Sequence, residues 1–235
     1  MKVRYLVKYT KENEIKFISH LDLMRTIQRT IRRAELKVEY SKGFNPHMTL
    51  SIAQPLSVGV YSYGEYFDVY LLEEMDEKDI KNKLNDSAPN GIKILDVKKV
   101  VPKDDKKIPP SMALIESASY SIKIPYKDTT GLNEELDELL KQKEWNMVKK
   151  TKKGKKEVDI KSMIKKIDFN IEREYLGIKT LVLCGSKGNL SAQLLADFIK
   201  NNTSNAHMER FVKIEREELY TYKNKKLVSL LEYFS

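Results

Sequence analysis

The chain has 235 residues, with 43 Lys and Arg against 34 Asp and Glu, which gives a formal charge of +9. Hydrophobic residues make up 41%, enough to build a core, and no apolar run approaches the roughly 18 residues that a membrane span needs. The N-terminus begins directly with an alternating strand pattern instead of a signal-peptide core. The sequence therefore predicts a cytoplasmic protein that is neither secreted nor inserted into a membrane.

Cysteine and histidine limit the chemistry that the chain can perform alone. A single cysteine, Cys184, excludes an intramolecular disulfide and any zinc or iron–sulfur site built from thiolates of this chain. The three histidines, His20, His47 and His207, have no metal-binding spacing. We therefore predict neither a cofactor nor a tightly bound transition metal.

Positive charge is concentrated in one segment. Residues 141–166 contain 11 lysines against three acidic residues, a net charge of +8, whereas the rest of the chain carries +1. Such a local excess indicates an anion-binding patch, for which nucleic acid is the usual ligand. A solvated, lysine-rich hairpin that keeps the protein soluble is the alternative.

In chain order, the first hundred residues predict alternating strands and helices that begin with strand 3–10. The further elements are helix 20–35, a short strand 37–41, strands 48–53 and 65–72, helix 75–84 and strand 92–100. The main elements follow the order β-α-β-β-α-β, which is the ferredoxin-like arrangement with both helices on one face of a sheet.

The first helix carries several agreeing signals. Ser19 is a candidate N-cap, and Asp22 stands at the acidic position of a capping box. At 100° per residue an apolar stripe and a set of arginines fall on opposite sides of this helix. The stripe contains Leu23, Ile27, Ile31 and Ala34, and the arginines are Arg25, Arg29, Arg32 and Arg33.

The second half repeats this pattern less regularly. Residues 102–111 are charged and rich in proline, which predicts a linker between domains 1–101 and 112–235. The elements expected after it are strand 119–126, helix 132–142, a hairpin from residue 145 with its tip at 152–156, an ambiguous segment 158–167, strands 169–173 and 180–184, helix 190–201 and strand 211–222. We therefore predict an α+β chain of tandem ferredoxin-like (βαββαβ) units, the second with an insertion.

Several segments together carry a family resemblance. They are residues 17–25, 29–34, 40–47 with its Gly-Phe-Asn-Pro-His block, 55–60 and 65–69, with weaker support from 158–161 and 185–190. These segments resemble the radical SAM-linked protein family, a domain of unknown function encoded beside, or fused behind, a cobalamin-binding radical SAM protein. The resemblance implies a radical SAM protein as partner and no agreed catalytic residues. The chain lacks the three-cysteine motif of a radical SAM enzyme, so it cannot perform that chemistry itself.

Two histidines are the candidate catalytic residues. His20 opens the first helix and His47 closes the Gly-Phe-Asn-Pro-His loop, so both are expected at the same end of the sheet. Two imidazoles beside a basic surface would suit acid–base cleavage of RNA. The alternative is structural: His20 as a partly buried first-turn residue and His47 bonded to its own loop.

The remaining candidates point to binding. Lys42, Phe44 and Asn45 lie on a loop that Pro46 stiffens, where Phe44 either stacks on an unpaired base or fills the core. Arg25, Arg29 and Arg32 suit phosphates or an acidic protein groove, and the hairpin adds Lys152, Lys153, Lys155 and Lys156. The leading interpretation is a protein that binds structured RNA, such as transfer or ribosomal RNA, for a radical SAM partner. The alternatives are a metal-independent endoribonuclease using His20 and His47, and a non-enzymatic protein adaptor.

Overall fold

The structure is a computed structural model that describes residues 2–101, 108–151 and 154–235. It divides into two compact units, one formed by Met1–Glu116 with Glu218–Ser235 and the other by Ser117–Glu217. This grouping differs from the predicted domains 1–101 and 112–235, because residues 108–116 and the C-terminal segment join the first unit. Residues 102–107 of the predicted linker lie outside the described residues.

The fold is mixed α+β, and the structure assigns the following helices and strands. Up to residue 116 they are β1 (Val3–Lys11), α1 (His20–Arg33), β2 (Leu50–Ile52), β3 (Tyr61–Leu71), α2 (Glu77–Ser87), β4 (Ile94–Lys99) and α3 (Ser111–Leu114). They continue with β5 (Ser117–Pro125), α4 (Leu132–Lys141), β6 (Asn146–Thr151), β7 (Gly154–Asp159), β8 (Ile164–Glu172), β9 (Tyr175–Leu183), α5 (Ala192–Asn201), β10 (Lys213–Lys223), β11 (Lys226–Ser229) and α6 (Leu230–Phe234).

In the first unit a sheet carries helix α1 on one face. Strand β1 pairs antiparallel with β3 and β4, and β2 pairs antiparallel with β3. Helix α1 begins where predicted, since the Ser19 side chain accepts the N–H of Asp22. It ends before Glu35, which has a φ of 54° in the left-handed region. The predicted apolar stripe of α1 is buried in the core beneath it, which leaves the opposite side of the helix in solvent.

The strand predicted over residues 37–41 does not form. Only two isolated bridges occur there, Val38 with Leu71 and Tyr40 with Met48. The reason is competition for the edge of β3, because Leu50–Ile52 occupies the positions beside residues 67–69. The chain therefore leaves the sheet after Glu39 and forms a narrow loop instead of a strand.

In the second unit β9 pairs antiparallel with both β5 and β8, while β6 and β7 form a separate two-stranded hairpin. The ambiguous segment 158–167 contains one 3₁₀ turn, Lys161–Met163, and strand β8 then begins at Ile164. A register shift between Ile164 and Lys166 interrupts the alternation of β8. Because of this irregularity, the first half of β8 does not follow the period-two alternation from which a strand is predicted.

Asp159 fastens the base of the hairpin to the second unit. Its carboxylate accepts the N–H groups of Trp145 (2.9 Å), Lys161 (2.9 Å) and Ser162 (3.2 Å). The bond from Trp145 is the largest cause that holds the pKa of Asp159 below its usual range, against a smaller opposing effect of burial. The Trp145 ring is buried and stacks on Phe198 at 5.0 Å, so Asp159 helps to place a core residue.

Replacing Asp159 with alanine should lower the free energy of unfolding by about 1 kcal/mol at neutral pH, since solvent also reaches this carboxylate. Because its folded-state pKa is depressed, the wild-type stabilisation should be complete above about pH 4 and disappear as the pH falls through the folded-state pKa. Denaturant unfolding followed by Trp145 fluorescence measures both effects. Asp137→Ala, at an exposed position of α4, is the control; an equal loss in both variants would contradict this role.

Candidate nucleic-acid interface

Three arginines form an exposed basic surface on α1, which we call the arginine face: Arg25, Arg29 and Arg32. All three are exposed, and Arg29 and Arg32 make no ion pair with any residue that the structure describes. The Arg25 side chain is 65% exposed and contacts Asp22 at 3.2 Å. Arg33 is different, because its guanidinium donates at 3.2 and 2.6 Å to a backbone carbonyl at the end of α2. The arginine face thus has two uncompensated charges and one partly compensated charge.

Residues 41–47, the aromatic loop, are held at their base by a compact set of hydrogen bonds. Ser41 N–H donates to the His47 carbonyl (2.8 Å), and His47 N–H donates to Ser41 Oγ (3.0 Å). The same hydroxyl lies 2.8 Å from His47 Nδ1. The bridge between Tyr40 and Met48 closes the loop below these contacts. The loop is therefore braced without burying its tip.

The tip of the aromatic loop is in solvent. Lys42, Phe44 and Asn45 are all exposed, and the Phe44 ring has 112% of its reference accessibility. Phe44 therefore does not fill the core, which removes one of the two interpretations that the sequence left open. Gly43 has a φ of 137° with open space where a Cβ would lie, so the turn at the tip depends on glycine.

The two candidate catalytic histidines are attached at opposite ends of β3. His20 follows the Lys11 end of β1, where the Lys11 ammonium donates to the carbonyl of Ile18, and Lys11 pairs with Ser62. His47 belongs to the aromatic loop, whose base joins the sheet through Glu39 N–H and the carbonyl of Tyr70. Tyr70 lies eight positions after Ser62 on β3, a length of about 26 Å at 3.3 Å per residue. The structure does not bring the two imidazoles together.

The two histidines have different environments. His20 is half-buried, and its Nδ1 atom has no hydrogen-bond partner among the residues described. His47 is exposed and contacts Ser41 within its own loop. In these positions His47 acts as a brace for the aromatic loop.

The lysine hairpin consists of β6, β7 and the two residues between them, and the structure describes only part of it. Lys152 and Lys153 lie outside the described residues. Lys155 and Lys156 belong to β7, where they pair with Lys150 and Lys149 of β6. The backbone register of the hairpin therefore pairs four lysines on two strands.

A buried ionic cluster in the first unit was not predicted. The Arg4 guanidinium donates to Asp68 (2.9 Å), to the Ser111 hydroxyl (3.2 Å) and to the carbonyls of Ile108 (3.2 Å) and Pro109 (2.8 Å). Asp68 also accepts the N–H and the hydroxyl of Ser111, both at 2.8 Å. Arg4 and Asp68 are 7% and 1% exposed. They lie 64 positions apart, so no local pattern could pair them.

Glu218 makes a second cluster within the first unit. Its carboxylate accepts the Lys8 ammonium at 2.6 Å and the Tyr66 hydroxyl at 2.7 Å. Burial, with the negative charge of Glu218 as a smaller cause, raises the pKa of Tyr66 above its usual range. Tyr66 therefore stays protonated and donates to Glu218, which joins the C-terminal segment to β1 and β3.

Two further findings concern metals and membranes. Within residues 2–101, 108–151 and 154–235, no group of three or more His, Cys, Asp or Glu side chains is placed to hold a metal ion. No helix in this part of the chain is both long enough and apolar enough to cross a membrane.

Comparison with known proteins gives one family match. The model of a family described as "Uncharacterized protein conserved in bacteria (DUF2344)" matches residues 4–192. No curated protein matches the chain. The match covers the arginine face, the aromatic loop and the lysine hairpin.

Three solved structures show distant similarity to this chain. A Cbf5-Nop10-Gar1 complex has a TM-score of 0.47 at 11% identity, covering 92% of this chain and 48% of that one. This chain thus spans about half the length of that structure. An unknown protein from Galdieria sulphuraria scores 0.26 at 11% identity (92% and 98% covered), and a putative glycine cleavage system transcriptional repressor scores 0.22 at 9% (91% and 96% covered).

Proposed function

This chain belongs to the bacterial family described as uncharacterized (DUF2344), and from the geometry of its first unit we propose that it binds RNA. In this proposal an unpaired base stacks on Phe44 while neighbouring phosphates contact the arginine face. The observation that carries the proposal is the complete exposure of the Phe44 ring on a braced loop.

An exposed phenyl ring at the tip of a braced loop is a costly arrangement. Burying a Phe side chain is worth roughly 1.5–3 kcal/mol, and the fold leaves that gain unused at Phe44. A base that stacks on the ring would recover it, since stacking contributes about 1–3 kcal/mol per base. Lys42 and Asn45 flank the ring and offer a cation for phosphate and an amide for a base edge.

The arginine face supplies the electrostatic part of the interface. Guanidinium groups bind phosphate through two parallel hydrogen bonds, and Arg29 and Arg32 have no ion-pair partner in the described chain to compete with such a ligand. Arg25 and Arg32 lie seven positions apart on α1, with Arg29 between them, which is a rise of about 10 Å. This length suits contact with more than one phosphate of the same strand.

Three finer proposals extend this function. Lys152, Lys153, Lys155 and Lys156 would add contacts to a structured RNA such as transfer or ribosomal RNA. From the sequence resemblance, the recipient of the bound RNA would be a radical SAM partner. The element order β-α-β-β-α-β of the first unit, with β1 between β3 and β4 and β2 on the far side of β3, supports the proposal that it is ferredoxin-like, with a second such unit after it.

Phe44→Ala should weaken binding of a single-stranded oligoribonucleotide by about tenfold, because it removes one stacking contact. Phe44→Tyr keeps an aromatic face and should bind like the wild type. Fluorescence anisotropy of a labelled oligonucleotide at low salt measures both affinities. Neither change should alter the melting temperature, since the ring is outside the core.

Equal affinities for Phe44→Ala and the wild type would remove Phe44 from the interface. Absence of any wild-type binding at low salt would contradict RNA binding as a whole. The protein-adaptor interpretation would then account better for the exposed ring and the arginine face.

A further inference from the structure

The loop before β10 in the second unit is braced in a way that the proposed function does not use. Lys127 N–H donates to the carbonyl of Asn205 (2.8 Å), and His207 N–H donates to the carbonyl of Pro125 (2.9 Å). Between these bonds, residue 206 forms a bridge with residue 126. Backbone hydrogen bonds therefore hold the start of the loop against the end of β5.

A buried lysine holds the middle of this loop. Lys200 is 8% exposed, and its ammonium donates to the carbonyl of Met208 at 2.9 Å. That bond gives the charged nitrogen a partner in the interior and fixes the chain where it turns outward. Residues 208–211 all lie in solvent after this point.

Residues 208–211 present apolar, acidic and cationic side chains to solvent, and the acidic one is Glu209. The Phe211 ring is 81% exposed and the Met208 side chain 56% exposed. Arg210 lies between them and is also exposed, as is Lys127 at the end of β5. An aromatic ring beside cations on a braced loop repeats the combination found at Lys42 and Phe44 in the first unit.

More cationic than anionic side chains act on the His207 imidazole. Burial is the largest cause of a pKa below the usual histidine range, followed by the charges of Arg210 and Lys127. Glu174 opposes them, and Lys200 adds a smaller effect in the same direction as the other cations. Arg210 and Lys127 each have a larger effect on the pKa of His207 than the opposing carboxylate of Glu174.

We propose that residues 207–211, with Lys127, form a second RNA contact, where Phe211 stacks on an unpaired base and Lys127, His207 and Arg210 receive an adjoining phosphate. This proposal rests on the proposed function, because it assigns a further subsite for the same ligand. Two stacking sites on one chain make binding depend on oligonucleotide length, since a short strand occupies one site only.

Phe211→Ala should weaken binding of a long single-stranded oligoribonucleotide by about tenfold, whereas Phe211→Tyr should restore wild-type affinity. The loss should be smaller with a strand of about four nucleotides, which fills a single site. Fluorescence anisotropy across a length series measures this dependence. Arg210→Gln should also weaken binding and should flatten its dependence on salt by about one phosphate contact.

A second readout is the uptake of a proton by His207 when RNA binds. A phosphate placed among Lys127, His207 and Arg210 favours the imidazolium, so binding should raise the pKa of His207 and take up a proton. Wild-type affinity for the long oligonucleotide should therefore fall as pH rises through the histidine range. His207→Gln should reduce that decrease, and the charges of Arg210, Lys127, Lys200, Glu174 and Glu209 stay constant over this range.

The outcomes separate this inference from the proposed function. If the wild type binds RNA and Phe44→Ala weakens it, while Phe211→Ala and Arg210→Gln bind like the wild type at every length, the second contact is contradicted and the first stands. If the wild type binds no RNA, both fail. Capture of a protein by residues 207–211 without RNA binding would also overturn the inference.

Discussion

Replacing Asp68 with alanine should lower the free energy of unfolding by about 3–5 kcal/mol, because it leaves the Arg4 guanidinium buried without its counter-charge. The same change removes two hydrogen bonds from Ser111, which otherwise hold the segment after Pro109 against the sheet. Urea denaturation followed by far-ultraviolet circular dichroism measures the loss. The large size follows from burial, since Arg4 and Asp68 are 7% and 1% exposed.

An exposed ion pair of the same unit is the matched control. Lys37 and Glu73 lie 3.2 Å apart, with side chains 67% and 52% exposed. Glu73→Ala should cost less than about 0.5 kcal/mol, because water and salt screen this pair. If Asp68→Ala and Glu73→Ala have similar effects, the Arg4 cluster does not stabilise the unit in the way described.

Charge reversal of the arginine face should have the largest effect on ligand binding. The triple variant Arg25→Glu, Arg29→Glu, Arg32→Glu should bind single-stranded RNA at least about a hundredfold more weakly at low salt, because three phosphate contacts become repulsive. Loss of three phosphate contacts with a single strand should make the slope of log affinity against log salt concentration less steep by about 2. Anisotropy titrations at several salt concentrations give both quantities.

The matched control changes the net charge by the same amount elsewhere in the first unit. Lys78→Glu, Lys83→Glu, Lys93→Glu alters three exposed lysines that lie on α2 or before β4. It should lose far less affinity than the arginine variant, and circular dichroism should show both proteins folded. Equal losses in the two triple variants would mean that net charge, and not the arginine face, determines binding.

Helix α1 shows how much of the site the sequence could predict. Ser19, the apolar stripe and the opposing arginines are all local signals, since they depend on residues within one or two turns. The structure confirms the N-cap and the burial of the stripe, and it leaves Arg25, Arg29 and Arg32 in solvent. Local periodicity was sufficient because a single buried face determines which side of a helix faces water.

Other features depend on contacts with residues that lie outside the local sequence pattern. Residues 37–41 have the composition of a strand, but β2 occupies the neighbouring edge of β3, so the segment turns away. The pairing of Arg4 with Asp68 depends on the register of β1 against β3, and the orientation of Phe44 depends on the Ser41–His47 brace. Phenylalanine is ordinarily buried in a folded protein, so the exposure of Phe44 could be found only in the structure.

The most direct test of RNA binding by the first unit is to map where RNA contacts the wild-type chain. A single-stranded oligoribonucleotide containing 4-thiouridine would be crosslinked to the full protein at low salt, and the modified peptides would be identified by mass spectrometry. We expect crosslinks in residues 41–47, and fewer of them in Phe44→Ala. An absence of crosslinks there, while the same RNA crosslinks elsewhere or not at all, would contradict it.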